Sequence, residues 1–171
     1  MSHQAQLDFV AEIKSVLPLY FEKSRVLEVG SLNINGSVRQ FFDSPSLYIG
    51  CDLGEGEAVD IVCRGHELPY EDKSFDVVIS CECFEHDQFW QQTFQKMIDL
   101  ARIGGLVLFS CATIGRPEHG TTRTSPKDAP FTNDYYRNLS ENDFQCFKSQ
   151  FRIHAFSECA SPCDLYFWGL K

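Results

Sequence analysis

The chain has 171 residues, 43% of them apolar and 13% aromatic, with a formal charge of −9 at pH 7 and a pI near 4.9. That length buries one proper core and leaves little for a second, so residues 1–171 are expected to form a single domain. An acidic surface repels a phosphate backbone, which argues against nucleic acid as a general partner, and no apolar run approaches the roughly eighteen residues of a membrane span. The opening MSHQAQLDFVAEIK lacks the basic-then-apolar order of a secretory signal. Most of the eight cysteines sit in apolar runs, as Cys63, Cys81 and Cys111 do, which reads as buried reduced thiols rather than a disulfide framework. CEC at 81–83 and CASPC at 159–163 lack the paired CxxC spacing of a structural zinc site, so no metal is expected. A soluble, cytoplasmic protein is the expectation.

In chain order, LDFVAEIKSVL spaces Leu7, Val10, Ile13 and Leu17 as one face of a helix that Pro18 stops. RVLEV, SLYIGCD, VDIVC, FDVVIS and LVLFSC are short, continuous Val/Ile/Leu-rich runs, the composition of parallel strands covered on both faces. The first leads through Gly30, SLNIN and Gly36 into SVRQFF, which begins like a helix. Between the fourth and fifth, Trp90, Phe94, Met97, Ile98 and Ala101 recur at helical spacing ahead of Gly104 and Gly105, a crossover helix with a glycine stop. Six residues, LGEGEA, join the second strand to the third, too few for a crossover helix, so an extended link is expected there. After Cys111 a loop rich in Gly, Pro, Thr and charge runs to about residue 139; loops this long are functional or disordered. SENDFQCF offers a capped turn with Ser140 and Asp143, and FRIHAF and DLYFWGL form a closing antiparallel pair. The fold class is α/β, a Rossmann-like, doubly wound, mostly parallel sheet closed by a C-terminal hairpin.

Ligands of such sheets bind beyond the carboxyl ends of the strands. The residues found there, VLEVG with its acid and glycine, YIGCD with a strand-ending acid, and LP…D.SFDVVIS…EH around the fourth strand, resemble a class I S-adenosylmethionine-dependent methyltransferase of the small single-domain type. The resemblance covers roughly residues 24 to 111 and rests on order and spacing rather than on any one motif. It implies S-adenosylmethionine as cofactor. It also implies that Gly30 admits the cofactor's close approach, that Glu28 helps to hold its amino-acid end, and that Asp52 accepts both ribose hydroxyls. Gly65, His66 and Leu68 would flank the adenine, and Ser80 and Cys81 the methionine portion.

Three departures stand out. Leu32 and Ile34 fill the later glycine positions of the family's E-x-G-x-G-x-G turn, leaving a wide turn that suits a sulfonium nucleoside better than a dinucleotide. Arg64 replaces the usual adenine-side acid, and the link after Asp52 is short. Because the sulfonium already activates the methyl group, the protein mainly aligns the reactants and excludes water, with a general base needed only for a protonated acceptor. His119, His86 and Glu85 are the candidate catalytic residues; a surface turn for His119 and a plain helix start for Glu85 and His86 are the competing readings. The implied reaction is methyl transfer to an oxygen or nitrogen of a small molecule or glycan, with an anionic acceptor conceivable from Arg116, Arg123, Lys127 and Arg137 in the loop. A nucleoside-binding module without catalysis and an NAD-dependent oxidoreductase are the alternatives; the latter lacks G-x-G-x-x-G. The sequence leaves the oligomeric state open.

Overall fold

The computed structural model describes residues 3–171 and is built on one seven-stranded sheet in the order β3-β2-β1-β4-β5-β7-β6. β1 (Arg25–Val29), β2 (Leu47–Asp52), β3 (Ile61–Val62), β4 (Phe75–Cys81) and β5 (Ala101–Ala112) are parallel. β6 (Ile153–Cys159) and β7 (Asp164–Leu170) close the sheet as the expected antiparallel hairpin, with β7 against β5.

The continuous apolar runs follow from burial on both sides, since successive strand residues point to opposite faces. Leu27, Val78, Val107 and Phe109 join one core with α2 (Trp90–Leu100) and the 3-10 turns of Glu141–Gln150. Their neighbours Val26, Val77, Leu106 and Leu108 join the other with α1 (Gln4–Val16). Phe94 anchors the first core, its ring within 6.2 Å of the rings of Phe84, Phe109, Phe144, Phe147, Phe151 and Phe167. Ser140 and Asp143 cap the Glu141–Gln150 segment reciprocally, as their spacing predicts.

Three local expectations are corrected. SVRQFF makes only one 3-10 turn, Val38–Phe41, because the chain must return to β2 within a few residues and Pro45 disfavours helical backbone at Ser44. VDIVC contributes only Ile61–Val62 to the sheet edge; the side chain of Asp60 instead accepts from Gly50 N at 2.7 Å and Arg39 Nη2 at 2.9 Å. Gly104 and Gly105 do not stop α2, which ends at Leu100. Lys171 Nζ donates to the carbonyls of Ile98 (2.6 Å), Ala101 (3.0 Å) and Asp99 (3.3 Å) there, where cations complement a helix dipole. Gly104, at φ +73°, lies in β5, where the pairing with β4 shifts register between Phe75 and Val77. As expected, the link between β2 and β3 is not helical.

Candidate active site

β1 and β4 are neighbours from which the chain departs in opposite directions across the sheet, and a cleft of about 390 Å³ opens beyond their carboxyl ends. It is lined by Glu28 of β1 and Gly30 after it, Cys51 and Asp52 of β2, Cys63 and Gly65 after β3, and Cys81 of β4 with Glu82 after it. The turn at its base is tied to β2, for Gly30 N and Ser31 N both donate to Cys51 O, at 2.8 and 3.1 Å. Gly30 has φ +79°, and a Cβ there would lie 2.7 Å from Cys83 Cβ. Glycine is therefore required by the backbone and by the close passage of the β4 turn.

Asp52 Oδ2 accepts from Leu32 N at 3.0 Å and Oδ1 from Leu53 N at 2.7 Å. A carboxylate has about four lone-pair sites, so acceptor capacity remains for hydroxyl donors in the cleft even with the Gly54 amide also acting on it. Burial raises the Asp52 carboxyl above its ordinary range against the pull of those amides. Glu28 is held by Tyr48, whose hydroxyl donates to Oε2 at 2.7 Å, and burial pushes its carboxyl up to about 7. The wide turn is accommodated by the glycines of the β2–β3 link. Leu32 packs where a Cβ of Gly56 would stand, and the Phe131 ring lies where a Cβ of Gly54 would. Phe131 comes from the loop after β5, of which residues 128–133 and Tyr135 fold down to line the cleft.

At one side of the cleft the 3-10 turn Phe84–His86 faces the same loop. His86 lines the cleft, whereas Glu85 is wholly buried behind it and His119 is reached from the loop. His119 Nε2 stands 3.9 Å from Glu85 Oε1, and the rings of His119, His86 and Tyr136 pack edge-on at 5.1–5.4 Å. Gly120, at φ +66°, is glycine because a Cβ would lie 2.7 Å from the His86 ring. Burial pushes Glu85 up to about 8, the nearby Glu82 adding to it; burial also pushes His86 down to about 3, helped by His119, and lowers His119.

The remaining candidates are placed differently. Leu68 is core, Ser80 is buried within β4, and the His66 ring packs against Phe89 at 4.8 Å on the α2 side. Sequence reasoning missed Glu82, which lines the cleft with a buried side chain at φ +52°. Ser110 Oγ donates to Glu82 Oε1 at 2.8 Å, and His3 lies 3.7 Å from its other oxygen. It also missed Phe131 and Tyr135, whose only signal is aromatic clustering in PFTNDYY. The loop arginines are paired: Arg116 with Asp164 at 2.7 Å, Arg123 with Glu118 at 2.8 Å, and Arg137 with Asp143.

Residues 39–109 match the family described as a methyltransferase domain. The match begins just after the wide turn, the part of the sequence that departs most from the family pattern. No curated protein sequence matches the chain significantly. Among solved structures the fold is similar to Burkholderia thailandensis 1,6-didemethyltoxoflavin-N1-methyltransferase, solved with 1,6-didemethyltoxoflavin and S-adenosylhomocysteine (TM-score 0.69, 15% identity, 98% of this chain and 78% of that one). Haemonchus contortus phosphoethanolamine N-methyltransferase 2, with phosphomonomethylethanolamine and S-adenosylhomocysteine, gives a TM-score of 0.70 at 20% identity, over 96% of this chain and 52% of that one. An S-adenosylmethionine-dependent methyltransferase from Mesorhizobium loti gives 0.63 at 15% identity over 96% and 100%.

Proposed function

We propose that this chain, a class I S-adenosylmethionine-dependent methyltransferase by fold and by the domain match over residues 39–109, methylates an oxygen or nitrogen of a small-molecule acceptor. The observation that carries the cofactor site is Asp52, a strand-ending carboxylate oriented by backbone amides, which lines a cleft of about 390 Å³ together with the Gly30 turn. The volume lies in the ~300–1,000 Å³ range of small-ligand sites, and the turn lacks the glycine nest a pyrophosphate needs, which disfavours NAD. The cofactor when bound supplies a methyl group already activated by the sulfonium.

The residues of the chain then bind and orient. Asp52 would accept the ribose hydroxyls, and Glu28 and Cys81 would lie along the amino-acid side, with Gly65 beside the base. Loop residues 128–135 would exclude water above. His86, His119 and Glu85 are proposed to stand at the acceptor end. A small acceptor is favoured because the loop folds down over the cleft and because neighbours of this fold are named for small-molecule acceptors. With Arg116, Arg123 and Arg137 engaged by carboxylates, the loop gives little support to an anionic acceptor or a glycan phosphate. All eight cysteines are free, which supports a reducing, cytoplasmic setting; no described helix is long and apolar enough to cross a membrane.

The test is titration with S-adenosylhomocysteine and with NAD, followed by an S-adenosylhomocysteine release assay across hydroxylated and amino metabolites. Asp52→Ala is expected to raise the S-adenosylhomocysteine dissociation constant about ten- to hundredfold, from roughly 1.5–3 kcal/mol of lost charged hydrogen bonding. Unchanged affinity in a folded variant rejects the ribose assignment. Tight cofactor binding without turnover of any acceptor would favour the non-catalytic binding module.

A further inference from the structure

Behind the cleft wall, Glu85 poses a problem that methyl transfer does not solve. Its side chain is completely buried, yet among the described residues neither carboxylate oxygen has a hydrogen-bond partner. Two histidine nitrogens near it are in the same condition among the described residues: His86 Nδ1 and His119 Nε2 are buried and unpartnered. One ligand atom from each of the three residues can be chosen so that all lie within 4.8 Å of one another. A buried carboxylate left unpaired is costly, and it is relieved by protonation, by a cation or by a bound metal.

We propose that Glu85, His86 and His119 form a binding site for one divalent transition-metal ion of the zinc type. Two imidazoles and one carboxylate are a borderline, nitrogen-rich donor set suited to zinc or its first-row neighbours and poor for magnesium or calcium, which want oxygen. An ion with bonds of about 2.1 Å spaces tetrahedral donors roughly 3.4 Å apart, so the observed spread closes with side-chain shifts of about an ångström. Three protein ligands leave a position open, and His86 puts that position at the cleft. The same ion would clamp the loop to the sheet, because His119 comes from the loop while Glu85 and His86 follow β4; Arg137 N already donates to Glu85 O at 2.9 Å across that joint.

A second group, His3, Glu82 and Asp164, has similar spacing but a different character. Arg116 stands 2.7 Å from Asp164 and 4.0 Å from Glu82, so a guanidinium already supplies the positive charge there. Among the described residues, no lysine or arginine stands within ion-pair distance of the first group. The metal site itself does not depend on the methyltransferase reading, but its place at the acceptor end does.

The experiment is calorimetric titration of the chelator-treated full chain with zinc chloride, repeated in Glu85→Gln, His119→Ala and His3→Ala, with S-adenosylhomocysteine affinity and thermal melting measured on each sample. One equivalent is expected to bind the native chain and His3→Ala alike. Glu85→Gln, which keeps the side-chain shape, and His119→Ala, on the loop, should each weaken zinc by more than the roughly 10–100-fold that outer-shell changes cost. Cobalt in place of zinc should give visible bands without thiolate charge transfer, which separates this site from the eight free cysteines. No bound equivalent, equal affinity in Glu85→Gln or His119→Ala, or a thiolate spectrum overturns the proposal. Zinc binding that persists while S-adenosylhomocysteine fails to bind would uphold the metal site and overturn the cofactor reading instead. If Glu85→Gln does not fold, His119→Ala alone decides.

Discussion

Gly30 carries two separable constraints, a left-handed backbone and the approach of Cys83. A Cβ at this position points at Cys83, so substitution strains the floor of the cleft before it touches a ligand. Gly30→Ala is expected to destabilise the protein by about 1–3 kcal/mol. Cys83→Gly in the same chain should recover the packing part of that loss and leave the backbone part. Urea unfolding of the four proteins of this double-mutant cycle measures the coupling, and additive effects would show that Cys83 is not what the new methyl group meets.

At the scale of elements, the loop after β5 and the link between β2 and β3 fit one another. Gly54 admits Phe131 and Gly56 admits Leu32, so a link too short for a helix becomes the seat of a lid. Phe131 remains half-exposed on Gly54. Phe131→Ala gives up part of an aromatic contact, roughly 1–1.5 kcal/mol, and should raise the S-adenosylhomocysteine dissociation constant by up to about tenfold. The loss is expected in the dissociation rate, since the ring closes the cleft rather than guiding entry. Stopped-flow binding checks this; an unchanged dissociation rate would mean that Phe131 does not close over the ligand.

Across the whole molecule, His3 ties the start of α1 to the sheet through Asp164 of β7 at 2.7 Å and Glu82 after β4 at 3.7 Å, with Arg116 of the loop beside both acids. Burial opposes charge on this histidine, but the two carboxylates prevail and raise it to about 9. A histidine raised on folding stabilises fully below its ordinary value near 6.5 and loses that contribution as pH rises through about 9. Native chain and His3→Gln should therefore differ in unfolding free energy at pH 6 and converge towards pH 10. Taking the difference removes the contributions of Glu28 and Glu85, whose raised carboxyls also lower stability as pH rises and are common to both proteins. A gap that stays constant with pH would show that His3 acts by packing alone.

The strands, α1, the closing hairpin and the acids at strand ends were legible because hydrophobic period and strand-end chemistry are local properties, carried by runs such as FDVVIS and by Asp52 itself. Periodicity also placed α2, but its end was not legible: Lys171, 71 positions beyond Leu100, caps it, and Gly104 serves a register shift with β4. Nor could Leu7 to Leu17 reveal that His3 just before them meets Asp164 at the far end of the chain. Among the residues lining the cleft, Asp52, Gly30 and Glu28 could be named from their place at the end of a strand. What decided the role of Phe131, the lone burial of Glu85 and its meeting with His86 and His119 was the path of a loop of some 27 residues. That path depends on contacts such as Phe131 on Gly54 and Gly120 beside His86, between residues far apart in sequence, and no local pattern encodes them.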